Sequence, residues 1–349
     1  FIFFKTLAKN YNKTIDARIM LGTFVIVCAG ILHDIAISRG YKVFSFIEFW
    51  LTPFAMFIYV GGIAIILSVR FANSMNEIEE LNATLEQKVE ERTAQLDKSL
   101  QEIKVRDEKI QCELVMAGSV QQTLLPEVLP KWPVQTAVRY KPLREVSGDF
   151  YNFARTPDAG YVMYIGDVSG HGMPAALYSI LAFKAFKEAI SKENNPGAII
   201  SYVNDELCKL QTGQYLTSFF VKYDGKGSIQ FINSGHPRAI LLSRSTKKII
   251  MLDTNGTVIG IQEGIHKSAK RSSIFVQKGD CIIMYTDCLV ERTNTYGEQY
   301  GESRLQETIK KYFYENLDNL IDLILEDFLE FAKDAENKDD LTIVGMQIN

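Results

Sequence analysis

Aspartates stand at the ends of apolar runs in this chain. Asp167 follows Tyr161–Ile165 as Gly166-Asp167, and Asp287 follows Cys281–Tyr285 as Thr286-Asp287. Asp339-Asp340 directly precede Leu341–Ile348, and Asp149 sits in Ser147-Gly148-Asp149-Phe150-Tyr151. Each apolar run reads as a strand. A single Asp at a strand end is most simply a turn former or a helix cap. If the strands pair so that these ends converge, several carboxylates share one small volume, and like charges that close cannot all stay ionised without a cation. An all-oxygen set lacking His and Cys suits Mg²⁺ or Mn²⁺ rather than zinc. Two such ions would acidify a bridging water and hold a phosphoryl group for in-line attack. There is no Walker A loop and no G-x-S-x-G elbow, which argues against a P-loop NTPase and against Ser–His acyl transfer.

The elements that must position these groups are short and varied. Thr217–Tyr223 and Ser228–Ile232 flank Asp224-Gly-Lys-Gly227 and predict a hairpin. Helical patterns run over about 174–191, 196–211, 302–314 and 317–333. Strands and helices that cluster without regular βαβ alternation predict an α+β domain of antiparallel sheets under helices. The composition is globular: 47% hydrophobic and 23% charged over 349 residues, with a net charge of −4. No basic block is present, so nucleic acid is not an expected partner. Five cysteines without a C-x-x-C pair make a disulfide framework or zinc site an unsuitable reading.

The first 70 residues differ from the rest. Phe49–Val69 is uncharged and mostly apolar over 21 residues, and Ile19–Leu32 continues through His33-Asp34 to Ile37. A bilayer core takes about 20 helical residues, so two spans are expected, over about 16–37 and 47–69. Lys5, Lys9, Lys13, Arg18 and Arg70 flank the pair, whereas Arg39 and Lys42 lie between the spans, which places both outer ends in the cytoplasm. The opening Phe1-Ile-Phe-Phe reads as the tail of an earlier apolar segment. From 71 to 115 the chain is highly charged and free of Gly and Pro. Leu85, Val89, Leu96, Leu100, Ile103, Ile110 and Leu114 form a heptad seam broken by Arg92 and Asp107, which predicts a marginal coiled coil in a parallel homodimer.

The aspartates also lie in recognisable wording. Gly166-Asp-Val-Ser-Gly-His-Gly-Met-Pro-Ala-Ala176 resembles the signature of metal-dependent PPM serine/threonine phosphatases, specifically their bacterial SpoIIE/RsbU group. Matching segments follow over about 116–349. They are Arg144–Tyr151, Asn233-Ser-Gly-His-Pro237, Gly256–Ile261, Gly279–Asp287, Asn294–Gly301 and Asp339-Asp-Leu-Thr342. The resemblance implies an antiparallel β-sandwich flanked by helices and two Mn²⁺ or Mg²⁺ ions. It assigns Asp167 to both ions with the Val168 carbonyl, and Asp149, Asp287 and Asp339 to the remaining shells, with Asp340 as the alternative to its neighbour. Phosphoserine or phosphothreonine would be hydrolysed directly, with His171 either protonating the leaving oxygen or shaping a turn, and His236 structural. Ala117–Pro126 resembles the helix that joins an upstream sensor to the catalytic core. The partner implied is a phosphorylated regulatory protein of the STAS, anti-anti-sigma type, and the setting is the inner membrane with the phosphatase in the cytoplasm.

Three positions depart from the pattern: Ser147 for Gly, Ser234 for Ala, and Cys288 for the Gly after Asp287. Cys288 is expected to crowd the metal or strain the backbone, and it keeps an inactive docking module as the alternative. A nucleotide cyclase is a remote one, since Ser147-Gly-Asp-Phe150 lacks the second acidic residue. The membrane end, through His33-Asp34-Ile35, Phe71-Ala72 and Leu81–Thr93, resembles the last helices of seven-transmembrane receptors with diverse intracellular signalling modules.

Overall fold

A computed structural model describes residues 15–41, 51–126, 134–268, 270–333, 335 and 339–349. The opening residues, the lysines at 5, 9 and 13, Lys42 and the start of the second expected span at 47–50 lie outside them. The contacts divide the chain into two compact units, one up to Lys104 and one from Val105.

The first unit holds α1 (Ile15–Ser38) and most of α2 (Thr52–Leu124), a helix of 73 residues. Asp16–Ser38 and α2 are each long enough, and apolar enough over part of their length, to cross a bilayer. His33 and Asp34 turn inward and are buried. Asp34 accepts the Leu51 and Thr52 N–H groups at 2.7 and 2.8 Å and so satisfies donors that the start of α2 would leave orphaned. At the other end, Arg70 Nε lies 2.7 Å from Asp16 Oδ2. Farther along α2 the seam residues Leu85, Val89, Leu96, Leu100, Ile103 and Ile110 stay at least 46% exposed, so the single chain leaves its apolar stripe uncovered.

The second unit is built on two five-stranded sheets. One has the order β2 (Phe150–Arg155), β3 (Tyr161–Val168), β4 (Leu216–Tyr223), β5 (Ser228–Ser234) and β8 (Ser272–Phe275). The other has β1 (Val134–Lys141), β10 (Leu341–Ile348), β9 (Cys281–Tyr285), β6 (Ala239–Ser243) and β7 (Lys248–Leu252). All their pairings are antiparallel. The expected hairpin is present, its turn closed by Asp224 Oδ1 accepting the Lys226 and Ser228 N–H groups.

Strand alternation places the layers. In the second sheet Leu241, Ile282, Met284, Val344 and Met346 join the core shared with the first sheet, while their neighbours Ile240, Leu242, Ile283, Tyr285 and Ile343 join a separate outer core. That outer core is closed by α6 (Gly301–Lys311) and α7 (Leu317–Phe331), whose Leu317, Leu320, Ile321, Ile324 and Phe328 are buried. On the opposite face lie α3 (Met173–Lys192) and α4 (Pro196–Cys208). There Phe186 of α3 stacks on Tyr164 with ring centroids 4.4 Å apart. The result is a sandwich of two sheets between two helical layers, in agreement with the α+β, sandwich-with-helices expectation.

Gly345 shows how tightly these layers close. A Cβ built there would stand 2.7 Å from Leu317 Cδ1 and 2.9 Å from Ile321 Cδ1, so any side chain would displace the tips of these two buried residues of α7. Gly345→Val should therefore cost about 1–3 kcal/mol through overpacking and lower the thermal midpoint by several degrees. An unchanged midpoint would show that α7 moves aside freely.

Candidate metal centre

The sheets bring the aspartates together in two pairs. Within the first sheet, Phe150 pairs with Gly166 and Asp167 with Thr217, which sets Asp149 beside Asp167 at one end of β2 and β3. Asp167 lies inside β3 rather than after it, because the ladder with β4 continues through Val168 and Leu216. Within the second sheet, Ile343 pairs with Tyr285, and Thr286 donates its N–H to the Thr342 carbonyl at 3.0 Å. Continued, that register brings Asp287, just before α5 (Cys288–Glu291), opposite Leu341 and within two residues of Asp339, whose pKa its charge raises.

Hydrogen bonds then join the two pairs across the sandwich. Thr342 Oγ1 donates to Asp149 Oδ2 at 2.6 Å. Asp340 accepts from Leu143 N at 2.7 Å, Ser147 Oγ at 2.7 Å and Gly148 N at 3.0 Å, so both its oxygens are committed to the loop that carries Asp149. Gly148 lies against the site: a Cβ there would stand 3.1 Å from the Val168 carbonyl oxygen and 3.6 Å from Asp167 Oδ1. The carbonyl of Val168 and the carboxylate of Asp167 thus face the same narrow space.

The electrostatics follow from burial and like charge. Asp149 is held well above the ordinary carboxylate range, first by burial and then by the charge of Asp167, while the Thr342 and Thr286 hydroxyls pull the other way. Asp167 is pushed up to about 8, chiefly by burial and then by Asp287, Asp339 and Asp340. Asp287 and Asp339 are also raised, again with burial as the leading cause. Such a set binds protons or cations in preference to standing bare. Among the described residues, no three His, Cys, Asp or Glu side chains close tightly enough round one point to clasp a single ion, although Asp167 is near enough to Asp287, Asp339 and Asp340 to feel their charge. Their donor atoms are all hard oxygens, which fits Mg²⁺ or Mn²⁺.

The histidines separate cleanly. His171 is exposed in the turn Gly170-His171-Gly172, whose glycines have φ of 89° and 78°, and its proximity lowers the pKa of Asp339. His236 is buried, with Nδ1 2.8 Å from Thr217 Oγ1 and its own N–H donated to Asn233 Oδ1 at 2.8 Å. Burial pulls its pKa down to about 3, so it is a neutral strut.

Cys288 corrects an expectation. It is a helical residue at the start of α5 and is not among the non-glycine residues with positive φ, so no glycine backbone is needed there. Its side chain joins the outer core, with Sγ donating to the Asp339 carbonyl at 3.6 Å. Burial, then Asp339, pushes the thiol up to about 12, so it stands behind the site as a neutral group. Sequence reasoning missed the hydroxyls of Ser147, Thr286 and Thr342 and the amide of Gln121. The Thr342 signal was legible, since it lies two residues after Asp340 and alternation puts both on one face.

His236 has a consequence for acid stability. Its folded pKa lies below the unfolded value of about 6.5, so its contribution is complete above that pH and is lost as pH falls toward about 3. Between pH 7 and 4.5 the parent chain should lose on the order of 2–3 kcal/mol more than His236→Gln, read as the difference in urea midpoints. Equal losses would count against a buried neutral imidazole.

The model of the family Stage II sporulation protein E (SpoIIE) matches residues 157–349, more than half of the chain. Phosphoserine phosphatase RsbU of Bacillus subtilis is 24% identical over 243 residues, covering 69% of this chain and 71% of RsbU. Protein IcfG of Synechocystis sp. is 26% identical over 279 residues, 70% of this chain, and the chain spans only 43% of IcfG. Among solved structures, the SiaA-PP2C domain of Pseudomonas aeruginosa superposes with a TM-score of 0.61 at 20% identity, over 70% of this chain and 98% of that domain. With the sandwich, its flanking helices and the matched residues all in agreement, the chain belongs to the SpoIIE family and carries a phosphatase domain of the PP2C fold.

Proposed function

We propose that this chain is a membrane-tethered signalling phosphatase that hydrolyses phosphoserine or phosphothreonine on a regulatory protein, with dependence on two Mn²⁺ or Mg²⁺ ions. The observation that carries the reading is the convergence of Asp149 and Asp167 from one sheet with Asp287 and Asp339 from the other. Asp167, with the Val168 carbonyl, would serve both ions, and Asp149, Asp287 and Asp339 would complete their shells. Such ions supply Lewis acidity, acidifying water and neutralising phosphoryl charge. Asp340 acts as a positioning group, because its oxygens hold Leu143, Ser147 and Gly148. His171, exposed and close enough to Asp339 to lower its pKa, would hand a proton to the departing serine oxygen.

A phosphorylated partner of the STAS, anti-anti-sigma type fits the family. The uncovered seam of α2 suits a parallel homodimer, and the apolar helices suit an inner-membrane anchor with the phosphatase in the cytoplasm. The organisation we favour is the end of a receptor-like transmembrane domain at 1–70, a coiled-coil linker at 71–115 and the phosphatase at 116–349.

Phosphate release from a phosphoserine peptide by the full chain in detergent should require Mn²⁺, stop with EDTA and fall at least ~10²-fold in Asp167→Ala. Turnover that persists in EDTA would sink the reading. Loss of a general acid hurts poor leaving groups most. His171→Ala should therefore lose ~10²-fold on phosphoserine while sparing p-nitrophenyl phosphate. Equal losses on both would assign His171 to the turn alone.

A further inference from the structure

We propose that Gln121, in the last turn of α2, is a positioning residue for this site, its side-chain amide clasping the main chain of Ser147 at both polar atoms and so setting where Asp149 stands. The inference rests on the phosphatase reading above.

Gln121 is only 5% exposed. Its Oε1 accepts the Ser147 N–H at 3.0 Å, and its Nε2 donates to the Ser147 carbonyl at 2.6 Å and to Ser179 Oγ at 2.8 Å. The Ser179 hydroxyl donates onward to the Ala176 carbonyl at 2.8 Å. Both amide hydrogens and the amide oxygen are therefore used, and the opposite orientation of the amide would set donor against donor and acceptor against acceptor.

The arrangement supplies what a neighbouring strand would supply. Ser147 lies outside every strand, so its buried N–H and carbonyl need partners from elsewhere. Ser147 then passes the constraint on: its Oγ donates to Asp340 Oδ2 at 2.7 Å and accepts the Asp149 N–H at 3.0 Å. Only Gly148 separates the clasped residue from Asp149. Contact of helix and loop is close here as well. A Cβ at Gly118, three residues before Gln121 and on the same face, would fall 1.8 Å from the Glu145 carbonyl oxygen, so glycine lets the helix backbone lie directly on the loop. Ligands to hard cations must be held to about half an ångström, and groups that orient such ligands typically carry a ~10–100-fold share of metal affinity.

The test uses the full chain in detergent, titrated with Mn²⁺ and followed both by calorimetry and by turnover of a phosphoserine peptide. Gln121→Met keeps the shape and removes the amide; Gln121→Glu keeps one acceptor for the Ser147 N–H and carries the test if the Met variant does not fold. Each should raise the Mn²⁺ dissociation constant ~10–100-fold, with turnover largely restored at saturating Mn²⁺. Gln122→Met, at an exposed neighbour, should leave both unchanged. Thr308→Val removes a hydroxyl bonded to Asp327 between α6 and α7, so it should lower stability without moving the Mn²⁺ affinity. Parent affinity in the Gln121 variants, or an equal shift in Thr308→Val, would overturn the clamp alone. A parent chain that binds no Mn²⁺ would overturn the phosphatase reading and the clamp with it.

Discussion

Everything at the working end of this domain depends on keeping mutually repelling carboxylates close together in a partly dry place. Burial alone pushes Asp149 and Asp167 toward the protonated state, and the charges of neighbouring aspartates push further, against the hydrogen bonds that Thr342 and Thr286 give Asp149. The fold opposes that repulsion with structure that is rigid for other reasons. Each sheet delivers its pair of aspartates through a backbone ladder, whose hydrogen bonds do not depend on the charge state of the site. Short polar side chains then fasten one pair to the other. Thr342, at the start of β10, reaches across to Asp149, and Asp340, beside it, gathers the loop ahead of β2. The placement of these carboxylates is thus fixed by folding itself.

The cores explain why this end can be kept so exact. Phe150, Tyr164, Phe186 and Phe220 form one aromatic group between the first sheet and α3, directly behind Asp149 and Asp167. Behind Asp287 and Asp339, Tyr285, Cys288, Leu289 and Leu341 lie in the outer core under α6 and α7. Each of these four aspartates therefore lies at or close to the end of an element whose other side is buried. Close-packed interiors of this kind have few alternative arrangements, which limits how far the carboxylates can drift apart. Cys288 belongs to that packing: the position where the family pattern has glycine is helical here, and a small apolar side chain fits behind it.

Two histidines of the same sequence took opposite fates for reasons of solvent. His171 sits in an exposed turn between two glycines of positive φ. His236 is enclosed beneath β4 and kept neutral, where it joins Thr217 to the turn after β5. Neither role is readable from the residue type, since both lie in glycine-flanked segments with much the same local wording.

The amino-acid sequence by itself determined the local elements. Alternation and apolar runs marked β3, β4, β5, β9 and β10, helical periodicity marked the four long helices of the domain, and the heptad seam marked α2, because these signals are carried by near neighbours in the chain. It also determined that aspartates would sit at strand ends. Less legible were β1, β2 and β6 to β8, which are short or interrupted and owe their state to partners remote in sequence. Only the tertiary structure decided which strand ends meet, that Asp340 holds a loop, that Cys288 needs no glycine backbone, and that Gln121 grips Ser147. Those outcomes depend on contacts between residues 26 to 197 positions apart, such as Gln121 with Ser147 and Leu143 with Asp340, and no local pattern encodes a pairing whose geometry exists only after the two sheets have closed on each other.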